Sequence, residues 1–312
     1  MILISEDVWS DDFVELQKRF PIIHEPDLWN RRDDLKKALK DAQALVVRNR
    51  TQVNRELIEA APKLKVIARA GVGLDNIDIQ AADDNGIVVA AALGINANAV
   101  AELTLGLAIA LARDVVARDQ STRSGEWNRA AGSEISGKTW GLLGFGATGR
   151  AVAKLLTGFG CNIFAYDPFV KEAVGATLAP LDDVISKSDV ISIHLPATNE
   201  TTGLINQNLI AKMKRTALIV NVGRGEVINE ADLAKALAEG LIAGAALDVR
   251  ATEPPKDDLF KNLKNVILTP HVAGITKESQ AAINKVLVSE IEAALTGSTH
   301  KYAVGKVKEA TR

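Results

Sequence analysis

A single cysteine, Cys161, stands in 312 residues. No intrachain disulfide can form and no multi-cysteine zinc site exists, so a reducing cytoplasm is the expected setting. Net charge is scarce too: 37 Lys and Arg against 39 Asp and Glu leave −2. That balance removes any strong drive toward polyanions, and nucleic acid is not expected as a partner. Long apolar runs are missing. The least polar helical stretch, 103–112, is flanked by Glu102 and Arg113 and is far too short to span a bilayer, so no membrane role is expected. Residues 1–7 contain no basic segment followed by an apolar one and do not read as a signal peptide. What is present, 47% hydrophobic and 24% charged residues, is an ordinary globular composition. A chain of this length can bury about three quarters of its surface and suggests roughly two domains.

Residues 1 to about 95 alternate short apolar runs (2–4, 44–47, 66–68 and 87–89) with helical patterns, which predicts a parallel sheet covered by helices. From Asn98 to Arg118 a helical pattern is apolar on both faces: Val100, Leu103, Leu107 and Leu111 on one, Leu105 and Ile109 on the other. Such a helix needs two partners, and a homodimer is expected to supply one of them. The alternation restarts with strands expected at 139–143, 162–166, 190–194, 217–221, 243–247 and 266–269, which suits a doubly wound sheet. A last helix is expected from about Thr276 to Leu295, and the tail carrying Lys301, Lys306, Lys308, Glu309 and Arg312 reads as solvated. The predicted class is α/β, with two Rossmann-like or flavodoxin-like domains. Residues 1–96 plus 283–312 form one and 97–282 the other, linked by two long helices around a cleft.

Gly144-Phe145-Gly146-Ala147-Thr148-Gly149 matches G-x-G-x-x-G, follows an apolar strand and precedes a helical pattern starting at Arg150. Asp167 ends the next strand. These are the parts a dinucleotide needs: a tight turn, helix amides for the pyrophosphate and a carboxylate for the ribose hydroxyls. No basic residue follows Asp167, so NAD is expected rather than NADP. Among four histidines, His24 and His300 lie in polar or terminal stretches and His194 reads as structural. His271 follows Thr269-Pro270 at a strand end, the sheet edge where open α/β folds hold ligands. Arg224 and Glu253 follow neighbouring strands. Arg offers a bidentate clamp for a carboxylate, His a proton near neutrality, and a carboxylate beside the imidazole favours its charged form.

Val46-Val47-Arg48, the run 69–78, Val100-Ala101-Glu102-Leu103-Thr104, the glycine fingerprint, 221–225, 247–249, Glu253-Pro254-Pro255 and Pro270-His271 occur in this order. Together they resemble the D-isomer-specific 2-hydroxyacid dehydrogenase family, most nearly its 3-phosphoglycerate dehydrogenase branch, over nearly the whole chain. The resemblance implies an NAD-dependent enzyme that interconverts a D-2-hydroxy acid and a 2-oxo acid. It gives Arg224 the substrate carboxylate and carbonyl, makes His271 the acid/base, and pairs Glu253 with it. It implies backbone contacts to substrate from Val72 and Gly73 and puts Asp248 on the nicotinamide carboxamide. Ala147 and Thr148 would meet the pyrophosphate, Leu195 the adenine side, and Val222, Gly223 and Gly274 the nicotinamide. Arg48 and Arg69 end first-domain strands and are expected to favour a substrate with a second anionic group, such as 3-phosphoglycerate. Hydroxypyruvate or glyoxylate is the alternative, and an NAD-sensing corepressor on the same fold is the alternative class. The formate dehydrogenase branch has Gln where Glu253 stands and resembles the chain less. Three positions depart from the family pattern: Arg250 replaces a usual aromatic residue, and Glu226 and Asn229 a usual glycine and aspartate. With the sequence ending at 312, the regulatory domains of some phosphoglycerate dehydrogenases are not expected.

Overall fold

Each apolar run of four or five residues becomes a strand whose successive side chains enter two different cores. A computed structural model describes residues 1–256 and 258–309, so Arg312 of the tail lies outside the described residues. The chain packs as two units, Met1–Asn96 with the segment from Thr276 onward, and Ala97–Ile275. The second crossing falls at Thr276 rather than 282. Thr276 is the N-cap of the helix Lys277–Thr296, its hydroxyl accepting from the Ser279 amide at 3.1 Å. That helix enters the first unit's core as one body through Ile283, Leu287, Ile291 and Ala294, and its first turn goes with it.

In the first unit, β1 (Ile2–Ile4), β2 (Ile22–His24), β3 (Ala44–Val47), β4 (Val66–Arg69) and β5 (Val88–Ala91) are parallel in the order β5-β4-β3-β1-β2. This is the flavodoxin-like arrangement. Ile2, Ile4, Val46 and Ala68 face one core, and Leu3, Leu45, Val47 and Ile67 the other. With both faces buried, continuous apolar runs rather than alternation mark these strands. The edge strand β2, half-buried and only three residues long, carries too little pattern to be expected.

The charged side chains Lys301, Lys306, Lys308 and Glu309 of the tail are exposed, as expected, but its backbone is tied down. Ala303–Val304 pairs antiparallel with β5, and the Lys306 and Val307 amides donate to Asp83 Oδ1 at 2.9 and 3.1 Å. His300 is likewise buried. Its Nδ1 lies 2.8 Å from Glu290 Oε2, with side chains 0% and 1% exposed, while Glu290 Oε1 accepts from the Lys301 and Tyr302 amides. Glu290→Ala would leave three donors in the interior without an acceptor and is expected to cost about 3–5 kcal/mol, read as a lower urea midpoint at unchanged slope.

In the second unit, β6 (Thr139–Leu143), β7 (Asn162–Tyr166), β8 (Thr177–Leu178), β9 (Val190–Ile193), β10 (Leu218–Asn221), β11 (Gly244–Leu247) and β12 (Val266–Leu268) form a parallel sheet. Its order is β12-β11-β10-β9-β6-β7-β8. Strand order reverses between β6 and β9, which makes their carboxyl ends the switch point where such sheets bind ligands. The unexpected seventh strand, β8, is two residues long. Leu142, Val190, Val220 and Ala246 face one core, and Leu143, Ile191, Ile219 and Ala245 the other.

The helix expected over 98–118 is two. Ala97–Ala112 packs Val100, Leu105 and Ala108 into the second unit's core; Asp114 then turns left-handed at φ 55° and Val115–Arg123 follows with no buried side chain. Apolar periodicity stops at Ala112, and aspartate is among the residues that tolerate that conformation. Among the described residues no helix is long and apolar enough to cross a membrane.

Candidate active site

Six consecutive strand ends of the second unit carry its expected site residues. Gly144 leaves β6 with φ 96°, and a Cβ there would sit 3.0 Å from the His194 carbonyl. Gly149 packs so tightly under Gly144 O that a side chain would overlap it. Gly146 differs: its φ of −74° suits any residue and a Cβ would meet no protein atom within 4 Å. The two outer glycines are explained by the fold, while the middle one leaves room for something else to approach the backbone. It is also the N-cap of the helix Ala147–Leu156, with no side chain capping it. That helix starts at Ala147 rather than Arg150, so the fingerprint supplies its first turn of amides. Those unpaired donors and the helix dipole suit a pyrophosphate. Asp167, after β7, is half-buried and ties the loop: Oδ2 accepts from the Phe145 amide at 2.8 Å and Oδ1 from Phe169 N at 3.0 Å. Carboxylate oxygens accept more than one bond, so capacity for ribose hydroxyls remains. The donors and acceptors present fit a dinucleotide.

After β10, buried Asn221 shapes the loop that presents Arg224. Its Oδ1 accepts from Gly223 N at 3.1 Å and its Nδ2 donates to Arg224 O at 3.0 Å. The Arg224 guanidinium donates to Gly223 O at 2.9 Å. Val222 is buried, and Gly223 lies against the Leu195 and Ile193 carbonyls, where a Cβ would be crowded at 2.8 and 3.2 Å.

Asp248, after β11, is buried and accepts three bonds: from Thr269 Oγ1 at 2.6 Å and from the Val272 and Ala273 amides at 2.9 Å each. Its carbonyl accepts from His271 N at 2.7 Å. Asp248 thus builds the turn that carries His271 at a left-handed φ of 54°. A non-glycine residue is held there only when its surroundings over-determine it, and this turn does so. Gly274 is half-buried at the end of the same turn.

His271 Nδ1 lies 2.7 Å from Glu253 Oε2, and Glu253 Oε1 accepts from Arg250 N at 3.0 Å. Burial alone would raise the Glu253 carboxyl. The hydrogen bonds from His271 and the Arg250 amide, with the charges of His271 and Arg224, outweigh it and hold the carboxyl below its ordinary range. An ionised carboxylate only accepts, so Nδ1 is the donor and Nε2 is left to exchange a proton. The pair is 47% and 37% exposed, so water reaches it.

His194 has the structural setting expected of it. Trp140 Nε1 donates to Ser192 Oγ, which is 2.9 Å from His194 Nε2, while Nδ1 is buried with no hydrogen-bond partner among the described residues. Enclosure of the ring pushes it down to about 3, so it stays neutral across the working range.

In the first unit, Arg48 follows β3, and Val72 and Gly73 follow β4, on the carboxyl edge of that sheet. The Arg48 loop is clamped by buried Glu6, whose carboxylate accepts from the amides of Arg48, Arg50 and Thr51 at 2.8, 3.0 and 2.9 Å. Sequence reasoning missed Glu6 and Glu230 and singled out Asn221 and Arg250 without giving either a supporting role. A polar side chain closing an apolar strand, as Asn221 does, was the one local signal among them.

Three comparisons bear on this arrangement. Residues 105–273 match the family model described as D-isomer specific 2-hydroxyacid dehydrogenase, NAD binding domain. The chain is 44% identical to the D-3-phosphoglycerate dehydrogenase of Methanocaldococcus jannaschii over 85% of its own length and 52% of that protein. It therefore spans about half the length of the curated phosphoglycerate dehydrogenases it matches. It is 42% identical to the hydroxypyruvate reductase of Thermotoga maritima, covering 83% of this chain and 87% of that one. The crystal structure of the TT0316 protein from Thermus thermophilus superposes with a TM-score of 0.91 at 30% identity, over 97% and 99% of the two chains. Fold, fingerprint and overall identity agree: the chain belongs to the D-isomer specific 2-hydroxyacid dehydrogenase family, and 105–273 is its NAD-binding domain.

Proposed function

We propose that the protein is an NAD-dependent oxidoreductase that interconverts a D-2-hydroxy acid and the corresponding 2-oxo acid. The observation that carries this reading is the His271–Glu253 pair, which leaves one imidazole nitrogen free to exchange a proton on the sheet edge that also bears Arg224. Arg224 binds the substrate carboxylate and polarises the carbonyl; His271 Nε2 protonates the developing alkoxide in reduction and takes the proton back in oxidation. Val72 and Gly73 offer backbone contacts to the substrate. The cofactor, when bound along Gly144–Gly149, supplies or accepts the hydride. Asp248, with acceptor capacity left after its three internal bonds, would take the nicotinamide carboxamide, and Leu195, Val222, Gly223 and Gly274 would lie against the cofactor's rings. A nucleotide sensor has no use for a proton donor, which favours the enzyme over a corepressor.

3-Phosphoglycerate is the preferred substrate and hydroxypyruvate or glyoxylate the next. Support comes from the names of the related proteins and from Arg48 and Arg69, cations at the ends of neighbouring strands. The test is steady-state oxidation of NADH and NADPH with 3-phosphohydroxypyruvate, hydroxypyruvate, glyoxylate and pyruvate. NADH and the phosphorylated acid are expected to give the highest kcat/KM, because Asp167 repels a 2′-phosphate. Equal or better use of NADPH would overturn the cofactor preference, and no gain from the phosphate would overturn the substrate.

The same reading makes the protein a cytoplasmic homodimer. Val115 and Val116, on a helix with no buried side chain, are exposed by 48% and 44%, and Trp127, in the segment after it, by 79%. Sedimentation at micromolar concentration is expected to give the mass of two chains, and Trp127→Lys with Val116→Lys to shift it toward one; a wild-type monomer would refute the dimer.

A further inference from the structure

Arg250, in the turn that carries Glu253, is almost fully enclosed. Its guanidinium forks onto Glu230, Nε to Oε1 at 2.9 Å and Nη2 to Oε2 at 3.2 Å, with side chains 8% and 17% exposed. Nη1 reaches Asp258 Oδ1 at 3.3 Å, and the guanidinium carbon lies 4.8 Å from the centre of the Phe260 ring. A buried charge is tolerated only when paired, so the fork has one favourable place, at the first turn of the helix Glu230–Ala238. The backbone of the same residue does two further things. Its amide holds Glu253 Oε1, and its carbonyl group packs on Gly225 so closely that a Cβ there would overlap it. Glu230 Oε1 also accepts from the Ala251 amide at 3.0 Å, so the carboxylate grips the turn twice.

We propose that Arg250 and Glu230 are a positioning pair: their fork fixes the 250–253 turn so that Glu253 keeps one oxygen for His271, and so that Gly225, directly after Arg224, packs on that same turn. An aromatic side chain at 250 would fill the volume without tying it to Glu230. Neither residue touches the reacting atoms; both act through Glu253 and the Arg224 loop. The role in catalysis rests on the functional reading above, whereas the geometric claim stands without it.

The test uses Arg250→Met, close in size without the charge, Glu230→Gln, which keeps shape and one acceptor, and the double variant. In the free protein, the downfield Nδ1 proton of His271 reports its bond to Glu253. The buried His300–Glu290 pair of the first unit supplies an internal control for folding. Both single variants are expected to broaden or lose the His271 resonance and keep that of His300. They are expected to lower kcat about 10- to 100-fold by misplacing the pair and to leave NADH affinity within about twofold. The double variant is expected to be no worse than the poorer single, because the two side chains form one device. If Arg250→Met loses both resonances, Glu230→Gln carries the decision. A His271 resonance unchanged in folded Glu230→Gln, with kcat unchanged, overturns the proposal. A wild type that turns over no 2-oxo acid would sink the functional reading, while the resonances still decide the positioning.

Discussion

Replacing His271 with alanine is expected to lower turnover by about 10²- to 10⁴-fold, the usual contribution of a positioned acid/base, with NADH binding retained. The proposed cofactor cradle, Gly144–Gly149 and Asp167, follows β6 and β7, whereas His271 follows β12 at the far edge of the sheet, so loss of the ring is expected to remove proton transfer and not the nucleotide site. Glu253 is held below its ordinary range by its bonds to His271 and the Arg250 amide despite partial burial, so it stays ionised through neutral pH. Its carboxylate lies 2.7 Å from Nδ1 and leaves Nε2 as the nitrogen that exchanges the proton. Reduction needs a proton on Nε2 and oxidation needs that nitrogen free to take one, so both directions depend on the pair. Glu253→Gln removes the ionised acceptor and is expected to lower kcat/KM in both directions. Linkage gives the pH dependence of stability for Glu253 itself. A depressed carboxyl adds stability that is present above its unfolded value of 4.5 and is lost as pH falls through the lower folded value. The measurement is kcat/KM in both directions for wild type, Glu253→Gln and His271→Ala. Unchanged kcat/KM in Glu253→Gln, or near-normal activity in His271→Ala, would mean the pair does not carry the proton.

Arg224→Ala is expected to lower kcat/KM for every 2-oxo acid by about 10²- to 10³-fold, because one guanidinium both orients the substrate and stabilises charge developing on the carbonyl oxygen. KM and kcat should both suffer. Arg224→Lys keeps a charge but not the planar fork, and is expected to recover only part of the loss. The loop itself should survive, since its shape is held by Asn221, Gly223 and Gly225 rather than by the arginine side chain. Wild-type kcat/KM in Arg224→Ala would remove the residue from the substrate site.

What the residues determine by themselves is whatever depends on near neighbours. Strands β1, β3, β6 and β7 are legible to the residue: β1 and β3 are buried at every position and apolar throughout, while β6 and β7 open on one polar residue and run on without another charged or amide side chain. The glycine fingerprint is legible because left-handed or crowded backbone at Gly144 and Gly149 tolerates little else. The order of strand ends explains why Asp167, Arg224, Glu253 and His271 stand on one edge. Short edge strands such as β2 and 303–304 are not legible, since two or three half-buried residues have no period to read.

Only tertiary structure decides which charges meet. Nothing near His300 announces that it will be buried against Glu290, ten residues away on a helix, and its polar surroundings suggest the opposite. Arg250 reads as a stray charge beside the site until topology sets Glu230, twenty residues earlier, under its fork. Glu6 closes the Arg48 loop across 42 residues of sequence. Dihedral preference and the period of burial act over a few residues, so sequence reports them. Pairing of buried charge is decided by whichever partner the packed sheet brings within 3 Å, and that partner is set by strand order rather than by distance along the chain.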